Sequence, residues 1–380
     1  MMRRKHDGGI SLLLAVLLLL LTGCAGSSGR PAGQGDRQRT GSMEVSYAEQ
    51  FAVDYYDDGS ALLTIGGTDE YLIVPEGSEP PKDTDAVVIR QPAENIYLAA
   101  SSAMDLFLRL DAMDAVRMTS TTQVNWSIQA VRDALDEGRL LYAGKYSAPD
   151  FELILAEDCG LAIESAMIYH SPDIREKLEE LGVPVLVERS SYESDPLGRM
   201  EWIKVYGLLL GRTEQAEEFF SGQIESLSAL GDTESGGKTV AFFHINSSGA
   251  AVVRKPGDYV TNMIRMAGGE YVFDELEGQD ENSLSTMNMQ MEAFYAGARD
   301  ADVLLYNSTI DGELFTVDQL LEKSGLLADF KAVQEGNVWC TEQNMFQETS
   351  AAAGVIADMY AILTGGAEGV DELTYFHRLK

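Results

Sequence analysis

The sequence predicts an α/β fold: two parallel-sheet lobes joined by one long helix and preceded by an antiparallel β-hairpin extension. Three observations carry this. Two long stretches alternate short apolar runs with segments of helical period, the pattern of strand-helix-strand units in a parallel sheet. Between them lies PLGRMEWIKVYGLLLGRTEQAEEFF, residues 196–220, with a continuous apolar stripe. Ahead of them, FAVDYYDDGSALLTI alternates in strand fashion across Asp58-Gly59, a hairpin signal.

The first residues form a leader. Arg3, Arg4 and Lys5 precede an apolar run from Ile10 to Leu21. That run is short of the roughly 20 residues that span a bilayer, and the layout is that of a secretory signal. Leu21-Thr22-Gly23-Cys24 resembles the bacterial lipobox. The resemblance implies cleavage before Cys24, a diacylglycerol on its sulfur, and a protein held at the outer face of the cytoplasmic membrane. Residues 24–43 are rich in Gly, Ser and polar side chains and read as a flexible tether. The remainder divides into an amino-terminal lobe with its hairpins (44–195), the connecting helix (196–230) and a second lobe (231–380), a length that suits two cores better than one.

Charge and cysteine content narrow the classes. Removing residues 1–23 takes away three positive charges and one negative, so the net charge moves from −33 to −35. So acidic a surface argues against nucleic acid or anionic lipid as partner, and it obliges an anionic ligand to find a locally basic pocket. Beyond Cys24 only Cys159 and Cys340 remain, one in each lobe beside an apolar run; they read as buried free thiols.

Taken in order, Gly66-Gly67 leads from the hairpin into EYLIV, a third strand of a small meander. The first alternation begins at AVVI and IYLAA and continues to VPVLVE, with helices such as AMDLFLRL and PDIREKLEELG between the strands. In the middle stretch Trp202, Tyr206, Leu209, Ala216, Phe220, Ile224 and Leu227 keep one face. A helix from Pro196 to Leu230 would be about 50 Å long and would reach both lobes. After GDTESGGK the second alternation runs from TVAFFHI through ADVLLYN and NVWCT to AAAGVIADMYAILTG.

This order, with its motifs, resembles the substrate-binding proteins of ABC importers for iron-siderophore, haem and cobalamin ligands. NIYLAASSAMDLFLRLDAMDAVRMTS is similar to the family's opening strand, helix and second strand, and APDFELILAEDCGLAI and HSPDIREKLEELGVPVLVE to the segments that follow. MIRMAGGEYVF and AVQEGNVW are similar to a turn and a strand entry of the second lobe. The amino-terminal hairpins and PLGRMEWIK are departures, found in a subset whose ligand is less settled. The resemblance implies a monomer without catalysis or intrinsic cofactor, which captures a chelate and passes it to a permease with its ATPase. It also implies one docking carboxylate on each lobe; the matching positions are Asp173 and Glu292, although acids near helix N-termini are favoured without any partner.

In open α/β sheets ligands lie beyond the carboxyl ends of the strands, so two facing lobes place their site in one interlobe cleft. The first lobe offers Ser101, Ser102, Thr119 to Thr121, Trp126, Lys145, Tyr146, Tyr192 and Glu193. The start of the long helix offers Arg199, Glu201 and Trp202. Two readings stand for this cluster: an Arg and a Trp lying along a flat ligand, or an intrahelical Arg pair beside a Trp wedged into the core. The second lobe offers His244, Asn246, Arg254, Tyr259, Asn307, Glu342, Met345 and Phe346. Such a mixture of aromatic and polar groups suits an iron chelate, haem or a corrinoid better than a bare ion. The scarcity of clustered Lys and Arg favours a neutral hydroxamate or corrinoid over a highly anionic catecholate. Trp126, Trp202 and Trp339 are expected near the cleft.

Other classes fare worse. A zinc or manganese carrier wants several His, and beyond the leader there are only His170, His244 and His377. Gly236-Gly237-Lys238-Thr239 has the wrong glycine spacing for a P-loop, and it follows a helix and precedes a strand, the reverse order. No G-x-S-x-G or H-E-x-x-H occurs. A surface adhesion module without a small ligand remains the alternative outside the binding-protein class.

Overall fold

The computed structural model describes residues 37–230, 237–276 and 285–380. Residues 37–80 and 86–380 form one compact unit; of a second, small unit the described part is the irregular loop Pro81–Asp85. The leader, Cys24 and residues 24–36 of the expected tether lie outside the described residues.

The antiparallel extension is larger than a pair of hairpins. β1 (Arg39–Ser42), β2 (Phe51–Tyr56), β3 (Ala61–Ile65), β4 (Asp69–Val74) and β5 (Val87–Arg90) form one five-stranded sheet in sequence order. Phe51, Val53, Ala61, Leu63 and Ile65 are buried, as the period-two alternation requires. Two expectations are corrected here. Residues 39–42, assigned to the tether, pair with β2. This edge strand is exposed along its length, so backbone hydrogen bonds hold it and no apolar pattern announces it. AVVI, assigned to the first parallel lobe, supplies β5 and runs parallel to β4. An apolar run of that length reads alike in either sheet.

The first lobe comprises β6 (Ile96–Leu98), α1 (Met104–Arg109), β7 (Val116–Thr119), α2 (Gln129–Asp136), β8 (Leu141–Tyr142), the hairpin β9 (Gly144–Lys145) and β10 (Ala148–Pro149), α3 (Phe151–Ala156), β11 (Leu161–Ser165), α4 (Pro172–Glu180) and β12 (Val185–Glu188). Its sheet runs β12-β11-β6-β7-β8, every neighbouring pair parallel. β6 and β12 are buried at every position, which is why they read as unbroken apolar runs. Asp150 caps α3 by accepting the Leu153 N–H at 3.0 Å, and Pro172 sits in the first turn of α4.

The single helix expected over 196–230 is three. α5 (Pro196–Glu201) bends at Trp202 into α6 (Ile203–Leu210), and α7 (Thr213–Ser228) follows. Gly211 ends α6 in the left-handed region, φ 69°, and the Arg212 N–H reaches back to the Gly207 carbonyl at 2.7 Å, the closure that a C-terminal glycine permits. The apolar stripe is therefore shared by helices that pack on one another. α7, with 16 residues and a length of about 24 Å, contacts α6 on one side and the last helix of the second lobe on the other.

That lobe comprises β13 (Thr239–Ile245), β14 (Ala251–Arg254), α8 (Tyr259–Met266), β15 (Glu270–Tyr271), β16 (Thr286–Met289), α9 (Met291–Ala298), β17 (Val303–Tyr306), α10 (Val317–Lys323), α11 (Lys331–Glu335), β18 (Val338–Thr341), α12 (Ala352–Thr364) and β19 (Phe376–Arg378). The sheet order is β16-β14-β13-β17-β18-β19, with β15 also on β13. β15, β13, β17 and β18 pair in parallel, while β14, β16 and β19 join antiparallel. Phe243, Phe294 and Phe330 stack through its core at 4.6 and 5.6 Å between centroids. Cys340 is a buried free thiol as expected, whereas Cys159, also free, is only half-buried.

Candidate functional site

The segment after β18 folds back onto the first lobe and forms one wall of a cleft. Asp105, buried on α1, accepts the Ser350 N–H at 2.8 Å. Arg109 Nε donates to the Ser350 hydroxyl at 2.8 Å, and the Thr349 hydroxyl donates to the Ser102 carbonyl at 2.7 Å. Gln347 accepts the Ser127 N–H at 2.7 Å. Beside these bonds opens a small cavity of about 60 Å³. Ser102, Ser190 and Ser191 line it from the first lobe, Pro196 and Arg199 from α5, Tyr259 and Met263 from α8, and Met345, Phe346, Glu348 and Thr349 from the returning segment.

Arg199 is fixed by its own neighbourhood. Asp195 caps α5 by accepting the Leu197 N–H at 2.8 Å, which sets the first turn. Arg199 then donates through Nε to the Glu193 carbonyl at 3.0 Å and through Nη2 to the Ser191 carbonyl at 2.8 Å. Its guanidinium lies 3.6 Å from the centroid of Tyr259, the first residue of α8. Asp258 caps that helix by accepting the Val260 N–H at 3.0 Å. Arg254, at the end of β14, is 5.7 Å from the same ring and 5.4 Å from Phe346; Asp258 lies 3.7 Å from it.

Burial governs the electrostatics here. It pushes the Tyr259 hydroxyl above the ordinary tyrosine range even though Arg254 and Arg199 pull it down. The Asp258 carboxyl is likewise raised by burial against Arg254. His244 is lowered, first by burial and then by Arg254. In a strongly acidic chain the cleft thus has a side carrying two guanidiniums and two aromatic rings, a surface able to meet a flat or anionic organic ligand.

Of the residues singled out in the sequence, Ser102, Arg199, Tyr259, Met345 and Phe346 meet around the cavity, and Arg254 stands beside it. Tyr192 and Glu193 border a neighbouring space that also touches Arg199 and Tyr259. Several expectations are corrected. Glu201 and Trp202 are fully buried under the amino-terminal segment: Glu201 accepts the N–H groups of Ser46, Tyr47 and Ala48, and Trp202 Nε1 donates to Glu193. Trp126 and Trp339 are core residues too, Trp126 donating to the Thr121 carbonyl and Trp339 lying under Arg378. The second of the two readings therefore holds for Trp202, whereas Arg199 pairs with carbonyls and a ring instead of a carboxylate.

The remaining candidates do not line the cavity. Lys145 is exposed on the β9–β10 hairpin and Tyr146 packs against the first lobe's core. Asn246 and Asn307 accept bonds within their own turns, Glu342 pairs with His377 at 2.6 Å, and Ser101 is half-buried beside Ser102. Thr119 is buried and accepts the Thr121 N–H. Sequence reasoning missed Ser190, Ser191, Met263, Glu348 and Thr349. The two serines follow β12 with one residue, Arg189, between, and obey the strand-end rule; Met263 lies one turn after Tyr259. Nothing local marks Glu348 and Thr349.

The profile of the periplasmic binding protein family matches residues 98–344. The chain belongs to that family. The family's binding proteins are a substrate-binding class, and the two lobes described above are its fold. Two lipoproteins of Methanocaldococcus jannaschii are similar in sequence. MJ0878 is 26% identical over 224 residues, 58% of this chain and 52% of its own length. MJ0872 is 24% identical over 363 residues, 88% of this chain and 87% of its own length. The chain thus spans about half of the first relative and most of the second. Among solved structures, the haem-binding protein HutB of Vibrio cholerae aligns with TM-score 0.56 at 19% identity, over 70% of this chain and 99% of its own. The petrobactin-binding protein YclQ of Bacillus subtilis aligns with TM-score 0.57 at 13% identity, over 77% and 98%. These likenesses are of fold. No helix among the described residues is long and apolar enough to cross a membrane.

Proposed function

We propose that this protein is a lipid-anchored, extracytoplasmic solute-binding protein of an ABC importer, which captures an iron complex, a siderophore chelate or haem, in the interlobe cleft and delivers it to the permease without chemistry of its own. The carrying observation is the cleft wall in which Arg199 and Arg254 both approach Tyr259, with Phe346 beside them. Aromatic faces accept the flat or greasy body of such a ligand, and guanidiniums its anionic oxygens. The pair of arginines favours a ligand carrying carboxylate or catecholate oxygens over a neutral one, reversing the preference drawn from the scarcity of cations in the sequence. The names of HutB and YclQ, haem- and petrobactin-binding, support an iron complex. The lipobox at Cys24 and the lipoprotein relatives support the anchor.

The test is equilibrium binding. Residues 37–380 carry both lobes, the extension and the core, so this body is titrated with haemin, a ferric catecholate, a ferric hydroxamate and cyanocobalamin. Saturable submicromolar binding of haemin or a ferric complex, lost on Arg254→Ala, is the expected result. Binding of cyanocobalamin alone would move the ligand to a corrinoid. A folded protein that binds none of the four would overturn the reading.

A further inference from the structure

The wall between two cavities consists of few residues. Besides the cavity of about 60 Å³, a second, more open space of about 240 Å³ lies beside Tyr192, Lys255, Gly257 and Ser285. Ser191, Arg199 and Tyr259 line both. Arg199 comes from α5 and Tyr259 from α8 of the second lobe, and their groups stack at 3.6 Å. We propose that the Arg199–Tyr259 stack is a cross-lobe gate that divides the cleft into an inner and an outer chamber and selects ligands by size, its opening joining the chambers into one cavity for a macrocyclic or multidentate ligand. This rests on the capture function proposed above.

The two sides of the gate are held differently. Arg199 is tied to the first-lobe loop through the Ser191 and Glu193 carbonyls, so it is a fixed post. Tyr259 is the first residue of α8, anchored through the Asp258 cap at the end of the β14–α8 turn. A cation–π stack between two bodies is a weak contact compared with the bonds that hold each side. Across the same interface Asn262 of α8 donates to the Ser194 carbonyl at 2.7 Å, so parting the lobes breaks the stack and this one bond while leaving both anchors in place. Neither chamber alone, at about 60 and 240 Å³, reaches the roughly 300 Å³ at which ligand pockets begin, so a haem or a hexadentate chelate calls for both.

The gate is tested without any ligand by labelling an inner-chamber thiol. In the body of residues 37–380 carrying Cys159→Ser, the substitution Ser102→Cys places a thiol in the inner chamber, and its reaction with a neutral methanethiosulfonate is timed. The chain without Ser102→Cys corrects for Cys340, which is buried. Tyr259→Ala and, independently, Arg199→Met are expected to speed labelling by about tenfold, the factor that loss of such a stack supplies. Tyr192→Ala, which alters only the outer chamber, is expected to leave the rate unchanged. Equal rates in all four folded proteins, checked by circular dichroism, would overturn the gate. Titration of the body with Arg199 and Tyr259 intact, using haemin and a ferric catecholate, reports separately on capture: its failure would sink the binding function while the labelling rates still decide the gate.

Discussion

Glu193 and Glu201 divide between them the backbone N–H groups of five consecutive residues, Ser46 to Gln50. Glu201 accepts from Ser46 at 2.9 Å, Tyr47 at 2.8 Å and Ala48 at 2.9 Å; Glu193 accepts from Glu49 and Gln50, both at 2.9 Å. Both carboxylates are buried and flank α5, so the segment before β2 is laid across the connector between the lobes. Gly198 makes room for it, because a Cβ there would stand 2.8 Å from the Tyr47 carbonyl oxygen. Lys204 completes the arrangement, 3.1 Å from Glu201 and 2.9 Å from the Glu44 carbonyl.

Glu201→Ala should therefore be among the most damaging single changes in the protein. It strands three backbone donors and leaves the buried Lys204 without this carboxylate, for an expected loss of about 3–5 kcal/mol. Urea unfolding of the variant against wild type measures it. Glu193→Ala, which frees two backbone donors and the Trp202 Nε1, should cost about 2–4 kcal/mol. A Glu201→Ala protein within about 1 kcal/mol of wild type would show that the segment is held by other contacts.

Stability should also fall as pH rises, because of Glu164. This carboxyl is fully buried on β11, neither oxygen has a hydrogen-bond partner among the described residues, and burial pushes its pKa up to about 8 from an ordinary 4.5. The folded state keeps a proton that the unfolded chain releases. Stability is thus highest below pH about 4.5 from this group, declines towards about 8 and levels off above it. Glu164→Gln removes the titration, so it should raise stability at pH 8 by on the order of 3 kcal/mol relative to its effect at pH 4.5. Calorimetry at both pH values is the measurement, and an unchanged difference between the two proteins would contradict it.

Why some of this was legible in the sequence and some not follows from range. The β2–β3 alternation and the parallel strands depend on neighbours in sequence, and the pattern shows them. Gly211 was a visible helix stop, yet the apolar stripe ran on across it because α6 and α7 happen to keep a common phase. Glu201 and Trp202 looked like cleft residues since a charged and an aromatic side chain at a helix start usually face solvent or ligand. Their burial is imposed by residues 44–51, about 150 positions upstream, a distance over which no periodicity speaks. Arg199 was marked at the start of the connecting helix and Tyr259 among the second lobe's strand-end candidates; that they stack on one another is a property of the assembled lobes.

The tryptophans supply a direct check on the buried cluster. Trp126, Trp202 and Trp339 are each at most 1% exposed, so emission should be that of indoles in an apolar interior. Acrylamide should quench the native protein only weakly and the urea-unfolded chain strongly. Haemin would still quench by energy transfer, with no change in acrylamide access. Strong native quenching by acrylamide would mean that at least one indole opens to the cleft in solution.

Asp173 and Glu292 separate capture from delivery. Each is exposed in the first turn of its helix, α4 in the first lobe and α9 in the second, where an acid gains about 0.3–1 kcal/mol from the helix dipole without any partner. Replacing each with Lys should cost no more than about 1–2 kcal/mol in stability for the same reason. If these acids dock on basic groups of a permease, as the importer proteins they resemble would have it, the reversal turns attraction into repulsion at an exposed rim, where charge chiefly sets encounter. The double variant Asp173→Lys, Glu292→Lys should then bind ligand as wild type does and fail to support uptake in cells that depend on this importer. Loss of binding together with uptake would assign the acids to the fold, and normal uptake would place the docking surface elsewhere on the lobes.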